Sequence, residues 1–155
     1  MVQPIPDGYR SITPYLSIQG AAAAIEFYTR AFGAHERMRL PGPEGRLGHA
    51  EMEFGDSVVM LADPWPGGYG QPPGDAGTPV TLHLYVEDVD AAFARAVAAG
   101  ATQVMPVQDH FYGDRGGALR DPFGHVWHLA THVEDVPPEE IARRMQAMTS
   151  GQGSG

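Results

Sequence analysis

The chain has 155 residues, 43% of them hydrophobic and 19% charged, so it suits one ordinary domain with a packed interior and excludes a multidomain assembly. Ten Lys and Arg stand against nineteen Asp and Glu, a net charge of −9; such a surface repels nucleic acid and anionic membranes and attracts cations. The absence of cysteine removes disulfides, thiolate nucleophiles and sulfur-ligated zinc, leaving His, Asp and Glu as the strong metal ligands. The opening MVQPIPDGYR has no basic stretch leading into a long apolar run, and the expected location is cytoplasmic.

Residues 11–18 (SITPYLSI) alternate polar with apolar or proline, the period of a half-buried strand, and Pro14 suits an edge. Residues 21–32 set Ile25, Tyr28 and Phe32 on one helical face and stop at Gly33, a residue that accepts the left-handed conformation past a helix end. Three short strands are predicted next, over 36–40, 47–54 and 58–62, joined by the turns PGPEG and GDS. A linker follows at 63–79, rich in Pro and Gly; its Trp65 and Tyr69 either close over a ligand or pack on the nearer module.

The order then repeats. A strand is predicted at 80–86, then a helix capped by Asp88, with Val89, Phe93, Ala96 and Val97 on its inner face and Gly100 at its end. Strands at 102–107, 117–120 and 126–131 complete the second unit. Ile18 matches Val86 and Met60 matches His128, at one and the same spacing. Such a repeat implies two modules, 9–62 and 80–132, that bury a shared face because neither has enough core alone. The predicted class is α+β: two tandem βαβββ modules forming an open, curved, barrel-like mixed sheet with helices on the outside. A proline pair opens a last helix within 133–148, whose Ile141, Met145 and Met148 dock on the domain or on a partner, and 149–155 is expected to be a disordered tail.

Strand parity sends Ser11, Thr13, Tyr15 and Ser17 into the cavity, with Thr81, His83 and Tyr85 in the symmetric strand and Met60 and His128 on the floor. These polar groups either meet a ligand or satisfy one another across strands. A glycine-flanked loop at 108–117 gathers His110, Tyr112, Asp114 and Arg115, which offer acid and base chemistry or form a surface turn in which Asp114 and Arg115 pair. His49, Glu51 and Glu53 alternate like a metal-ligand comb, but a solvated or interface face is the commoner cause of such a pattern.

The repeat, together with AIEFYTRAFGA, HLYVEDVDAAFARAVAAGA and DPFGHVWHLATH, resembles the vicinal oxygen chelate superfamily of glyoxalases, bleomycin-resistance proteins and extradiol dioxygenases, most closely its PhnB-like branch. The resemblance implies paired modules, with metal ligands in metal-using members on the first and last strand of each module. Here those positions fall on Thr13, Met60, Thr81 and His128, and only the imidazole is a competent ligand. The implied function is a homodimeric small-molecule-binding protein without a cofactor, its guest cationic or aromatic. Its expected ligand-binding residues are Thr13, Tyr15, Met60, Trp65, Thr81, His83, Tyr85 and His128. The alternative is a lyase, isomerase or dioxygenase: either a divalent metal in a displaced site where His83 meets His128, or metal-free chemistry drawn from His83, His128, Tyr112, Asp114 and Arg115. In a third reading the barrel is a structural dimer module with no cavity.

Overall fold

A computed structural model describes residues 2–151. The first module consists of β1 (Tyr15–Ser17), α1 (Ala21–Phe32), β2 (His35–Pro41), β3 (Leu47–Phe54) and β4 (Ser57–Ala62); the second of β5 (Leu82–Tyr85), α2 (Val89–Ala99), β6 (Thr102–Asp109), β7 (Asp114–Arg120) and β8 (Val126–His132). A last helix, α3, spans Pro138–Gly151. The strands form two four-stranded mixed sheets, ordered β1-β4-β3-β2 and β5-β8-β7-β6. In each, the first strand pairs parallel with the last, and the other pairings are antiparallel. The fold is thus α+β, two βαβββ modules in tandem, and the sheets do not close into a barrel.

The helices form where the periodicity predicts. Gly33 takes a left-handed φ of 68° and closes α1, and the Asp88 carboxylate caps α2 through Ala91 N. A second device repeats with the modules. Asp63 accepts from the Gly20 and Ala21 amides at the start of α1 (2.9 and 3.3 Å) and from Leu47 N (2.7 Å). Thr131, which stands to Asp63 as His128 stands to Met60, accepts from Val89 N at the start of α2 (2.9 Å). Each helix N-terminus, rich in unpaired donors, is therefore held by the residue at or near the end of its own module's last strand.

One core joins the modules. Tyr28 and Phe27 of α1, Phe54 of β3, Phe93 of α2, and Trp127 and Leu129 of β8 are buried together, with Phe54 and Trp127 stacked at 5.1 Å. Burying each such side chain contributes about 2–3 kcal/mol as an upper estimate. Asp121, itself buried, fixes the joint: it accepts from Tyr28 OH (2.5 Å), Trp127 Nε1 (3.0 Å), Phe123 N (2.9 Å) and His125 N (3.0 Å). Because the helix-facing sides of both sheets supply this core, their opposite faces look away from it into solvent.

Three expectations change. β1 is three residues long, shorter than the alternation suggests: chain pairing begins at the Pro14 carbonyl, which accepts from Met60 N (2.9 Å), and Thr13 precedes the strand. β7 begins at Asp114, so the segment 108–117 is a tight β-hairpin with residues 110–113 at its tip; Gly116, which read as a loop residue, lies inside the strand. The last helix starts at the expected proline pair, at Pro138, but continues to Gly151, through part of the expected tail; residues 152–155 of that tail lie outside the described residues.

Candidate functional site

The open face of the second sheet gathers most of the expected chemistry. Parallel pairing of β5 with β8 sets His83 beside His128, and their rings stack 4.5 Å apart at 25°. Tyr85 follows on the same side of β5, 4.8 Å from His83. From the hairpin tip His110 comes within 5.9 Å of His128 and stacks on Tyr112 at 5.2 Å. His128 Nδ1 is buried with no hydrogen-bond partner. Burial first, then the neighbouring His83 and His110, hold its imidazole below the ordinary pKa, so the ring is neutral at pH 7.

Asp114, 4% exposed, anchors the other end of this face. It accepts from Tyr85 OH at 2.8 Å and pairs with His132 Nδ1 at 2.8 Å. Burial would raise its carboxyl, but the bonds from His132 and Tyr85 bring it below the usual carboxylate value. His132 Nε2 faces Asp135 at 2.8 Å; hydrogen bonding to Asp114 first, and to Asp135 second, raises the imidazole pKa. Binding to Asp114, with burial second, raises the Tyr85 phenol. Between this group and α3 opens a cleft of about 550 Å³ lined by Tyr85, Tyr112, Asp114, His132, Asp135 and Ile141.

The structure separates the remaining candidates. Tyr15 and Met60 pair on the first sheet, and Thr13 lies near Met60 and Glu51 in a cleft beneath residues 4–11. No hydrogen bond or ring contact among the described residues joins them to the second face. Trp65 packs over Gly48 of β3 and lines a pocket with Tyr15 and Tyr69, so the linker aromatics belong to the first sheet. Thr81 is exposed, just before β5. Arg115 does not pair with Asp114. Alternation along β7 turns it to the opposite side, where it binds Asp90 (2.9 Å) and Asp109 (3.2 Å). The sequence reading missed His132, although it continues the period-two series from His128.

The positions to which the family resemblance assigns metal ligands do not fit a metal: two hydroxyls, a thioether and one imidazole remain too poor a donor set. The displaced alternative fares no better. His83 and His128 stack 4.5 Å apart as two imidazoles where a catalytic metal needs about three protein ligands, and no group of three or more His, Asp or Glu side chains among the described residues converges to hold an ion. No helix among them is long and apolar enough to cross a membrane.

Residues 14–129 match the profile of the Glyoxalase/Bleomycin resistance protein/Dioxygenase superfamily. An uncharacterized protein of Mycobacterium tuberculosis is 47% identical over 149 residues, covering 94% of this chain and 85% of that protein. The crystal structure of TioX from Micromonospora sp. ML1 is 30% identical with a TM-score of 0.65, covering 80% of this chain and 99% of that one. FosX of Listeria monocytogenes, complexed with Mn(II) and a dihydroxypropylphosphonic acid, has a TM-score of 0.61 at 15% identity, covering 86% of this chain and 94% of that one; at that identity the likeness is of fold alone.

Proposed function

The chain belongs to the glyoxalase, bleomycin resistance protein and dioxygenase superfamily, and from that premise we propose that it is a small-molecule-binding member without a resident metal, whose guest is an organic, planar cation held on the second sheet. The observation that carries this reading is the run of five rings, His83, Tyr85, His110, Tyr112 and His128, on one open face beside the acidic cleft of Asp114 and Asp135. Ring faces attract cations; the neutral His128 does not repel them, and the net charge of −9 draws them in. Ligand sites are commonly apolar and aromatic walls with a few placed polar groups, and this face has that composition.

A single chain leaves both open faces exposed, Tyr15 at 48% and Tyr85 at 59%. A second copy covering them would enclose the guest, which supports a homodimer. Proflavine, a planar acridine cation, tests the reading by fluorescence titration with sedimentation velocity in parallel. Micromolar binding to a dimer, weakened about tenfold or more by His83→Ala and by Tyr85→Ala, is the expected result. Binding that ignores both substitutions would overturn it, as would stoichiometric nickel, zinc, manganese, cobalt or iron in the purified protein that is lost in His128→Ala.

A further inference from the structure

The first sheet carries a different chemistry, independent of the binding reading. Tyr15 OH lies 2.8 Å from His49 Nδ1, and His49 Nε2 lies 2.9 Å from Glu51 Oε2. A carboxylate can only accept, so the bond to Glu51 requires the proton on Nε2 and leaves Nδ1 as an acceptor for the Tyr15 hydroxyl. Nucleophile, base and base-orienting carboxylate stand in hydrogen-bond order, the arrangement that activates a hydroxyl for covalent catalysis. Glu51 is itself set: burial would raise its carboxyl, but hydrogen bonds from Tyr9 and His49 and the charge of Arg37 bring it below the ordinary value.

The Tyr15 ring opens into a pocket of about 140 Å³ with Trp65 and Tyr69 among its walls. No Lys or Arg lines it, and its one carboxylate, Asp63, is already bound by three backbone amides. The lining therefore suits a neutral aromatic group. We propose that Tyr15 is a nucleophile activated by His49, with Glu51 as positioning residue, and that the site accepts the acyl group of neutral aryl esters. Tyr15 Oη bonds to the acyl carbon while its proton passes to His49 Nδ1. The acyl–oxygen bond then breaks, and the departing aryl oxide takes that proton from His49 and leaves as a phenol.

Tyr69 supplies an internal control, being 99% exposed and making no hydrogen bond to an imidazole among the described residues. Burial raises the Tyr15 phenol first, with Tyr69 and Glu51 adding to it, so unassisted reactivity would favour Tyr69. The native chain is treated briefly with p-nitrophenyl acetate and the acetylated peptides are quantified by mass spectrometry. Tyr15 is expected to be labelled about a hundredfold faster than Tyr69, the scale of general-base assistance, and to fall to the Tyr69 rate or below it in His49→Gln. Imidazole nitrogen NMR of the native chain should show His49 protonated on Nε2, a signature that Glu51→Gln alters. Equal labelling of Tyr15 and Tyr69, or a His49 protonated on Nδ1, would overturn the proposal whether or not the variants fold, and proflavine binding at the second sheet would stand apart from either result.

Discussion

The two open faces have one backbone plan and different contents. Tyr15 pairs with Met60 in the first sheet and His83 with His128 in the second, and both members are displaced by the same interval of the repeat. The next strand pairs Glu51 with Met60 in one module and Ala118 with His128 in the other, so Glu51 corresponds to Ala118 and, two residues earlier, His49 corresponds to Gly116. The first sheet puts its imidazole and carboxylate on the third strand and a thioether on the last; the second puts imidazoles on its outer parallel pair and strips the third strand to glycine and alanine. A ring as wide as His128 needs that stripping. The repeat thus fixes backbone positions while the cross-strand neighbour decides which side chain each position can hold.

Making the second sheet more like the first at that neighbour is expected to have the largest effect. A Cβ on Gly116 would stand 2.6 Å from the Leu129 carbonyl oxygen and 2.7 Å from His128 Cε1, and one of these partners is backbone that cannot turn aside. Gly116→Ala should therefore destabilise the fold by about 1–3 kcal/mol, the scale of core overpacking, read as a lower urea midpoint. His49, at the matching place in the first sheet, already has a side chain, so His49→Ala should cost less than Gly116→Ala. Equal losses would mean that the two strands are not equivalent in packing.

The next test replaces the second sheet's distinguishing ring with its first-sheet counterpart. His128→Met removes a buried nitrogen that has no partner, relieving a desolvation cost of about 1–3 kcal/mol, and forfeits a stacked contact with His83 of about 0.5–1.5 kcal/mol. The net expectation is a chain about 1 kcal/mol more stable that binds proflavine less well. A functional group kept at a cost to the fold is the pattern this result would reveal; a less stable variant would mean that the ring is held for packing.

The alternation and the helix ends made the module order legible in the sequence, because each follows from a local period or a local capping residue. The family resemblance supplied site positions on the first and last strand of each module; that these two strands lie side by side is seen only in the fold. What escaped were the features that depend on residues far apart in the chain. Asp63 read as the first residue of a linker and is the acceptor for the distant start of α1, at Gly20 and Ala21; nothing near it in the sequence announces the task. Asp114 and Arg115 read as a pair because they are adjacent, yet a strand sends neighbours to opposite faces, and their true partners are Tyr85 and His132, and Asp90 and Asp109. Gly116 read as loop for the same reason that it is essential to the strand: it lacks a side chain.

The smallest expected difference between the faces is one of proton linkage. His132 sits between Asp114 and Asp135, whereas its counterpart in the first module's repeat is Pro64, which cannot titrate, so a pH dependence from this position belongs to the second module alone. Bonding to Asp114, then to Asp135, raises the folded pKa of His132, and a group raised on folding gives its full stabilisation below the ordinary imidazole value and loses it as the pH climbs through the raised one. Asp114 runs the other way: its folded pKa is lowered, so its contribution is complete above the ordinary carboxylate value and disappears in acid. Both act together from about pH 4.5 to about pH 6.5. The melting temperature of the native chain should exceed that of His132→Gln most at about pH 5.5, and the gap should narrow by about pH 8.5. Half the His132 side chain is in solvent, where water and salt weaken ion pairs, so the gap should also shrink on adding salt at the lower pH. A gap that widened with rising pH would mean that the imidazole is held neutral, with Asp114 stabilised by Tyr85 alone.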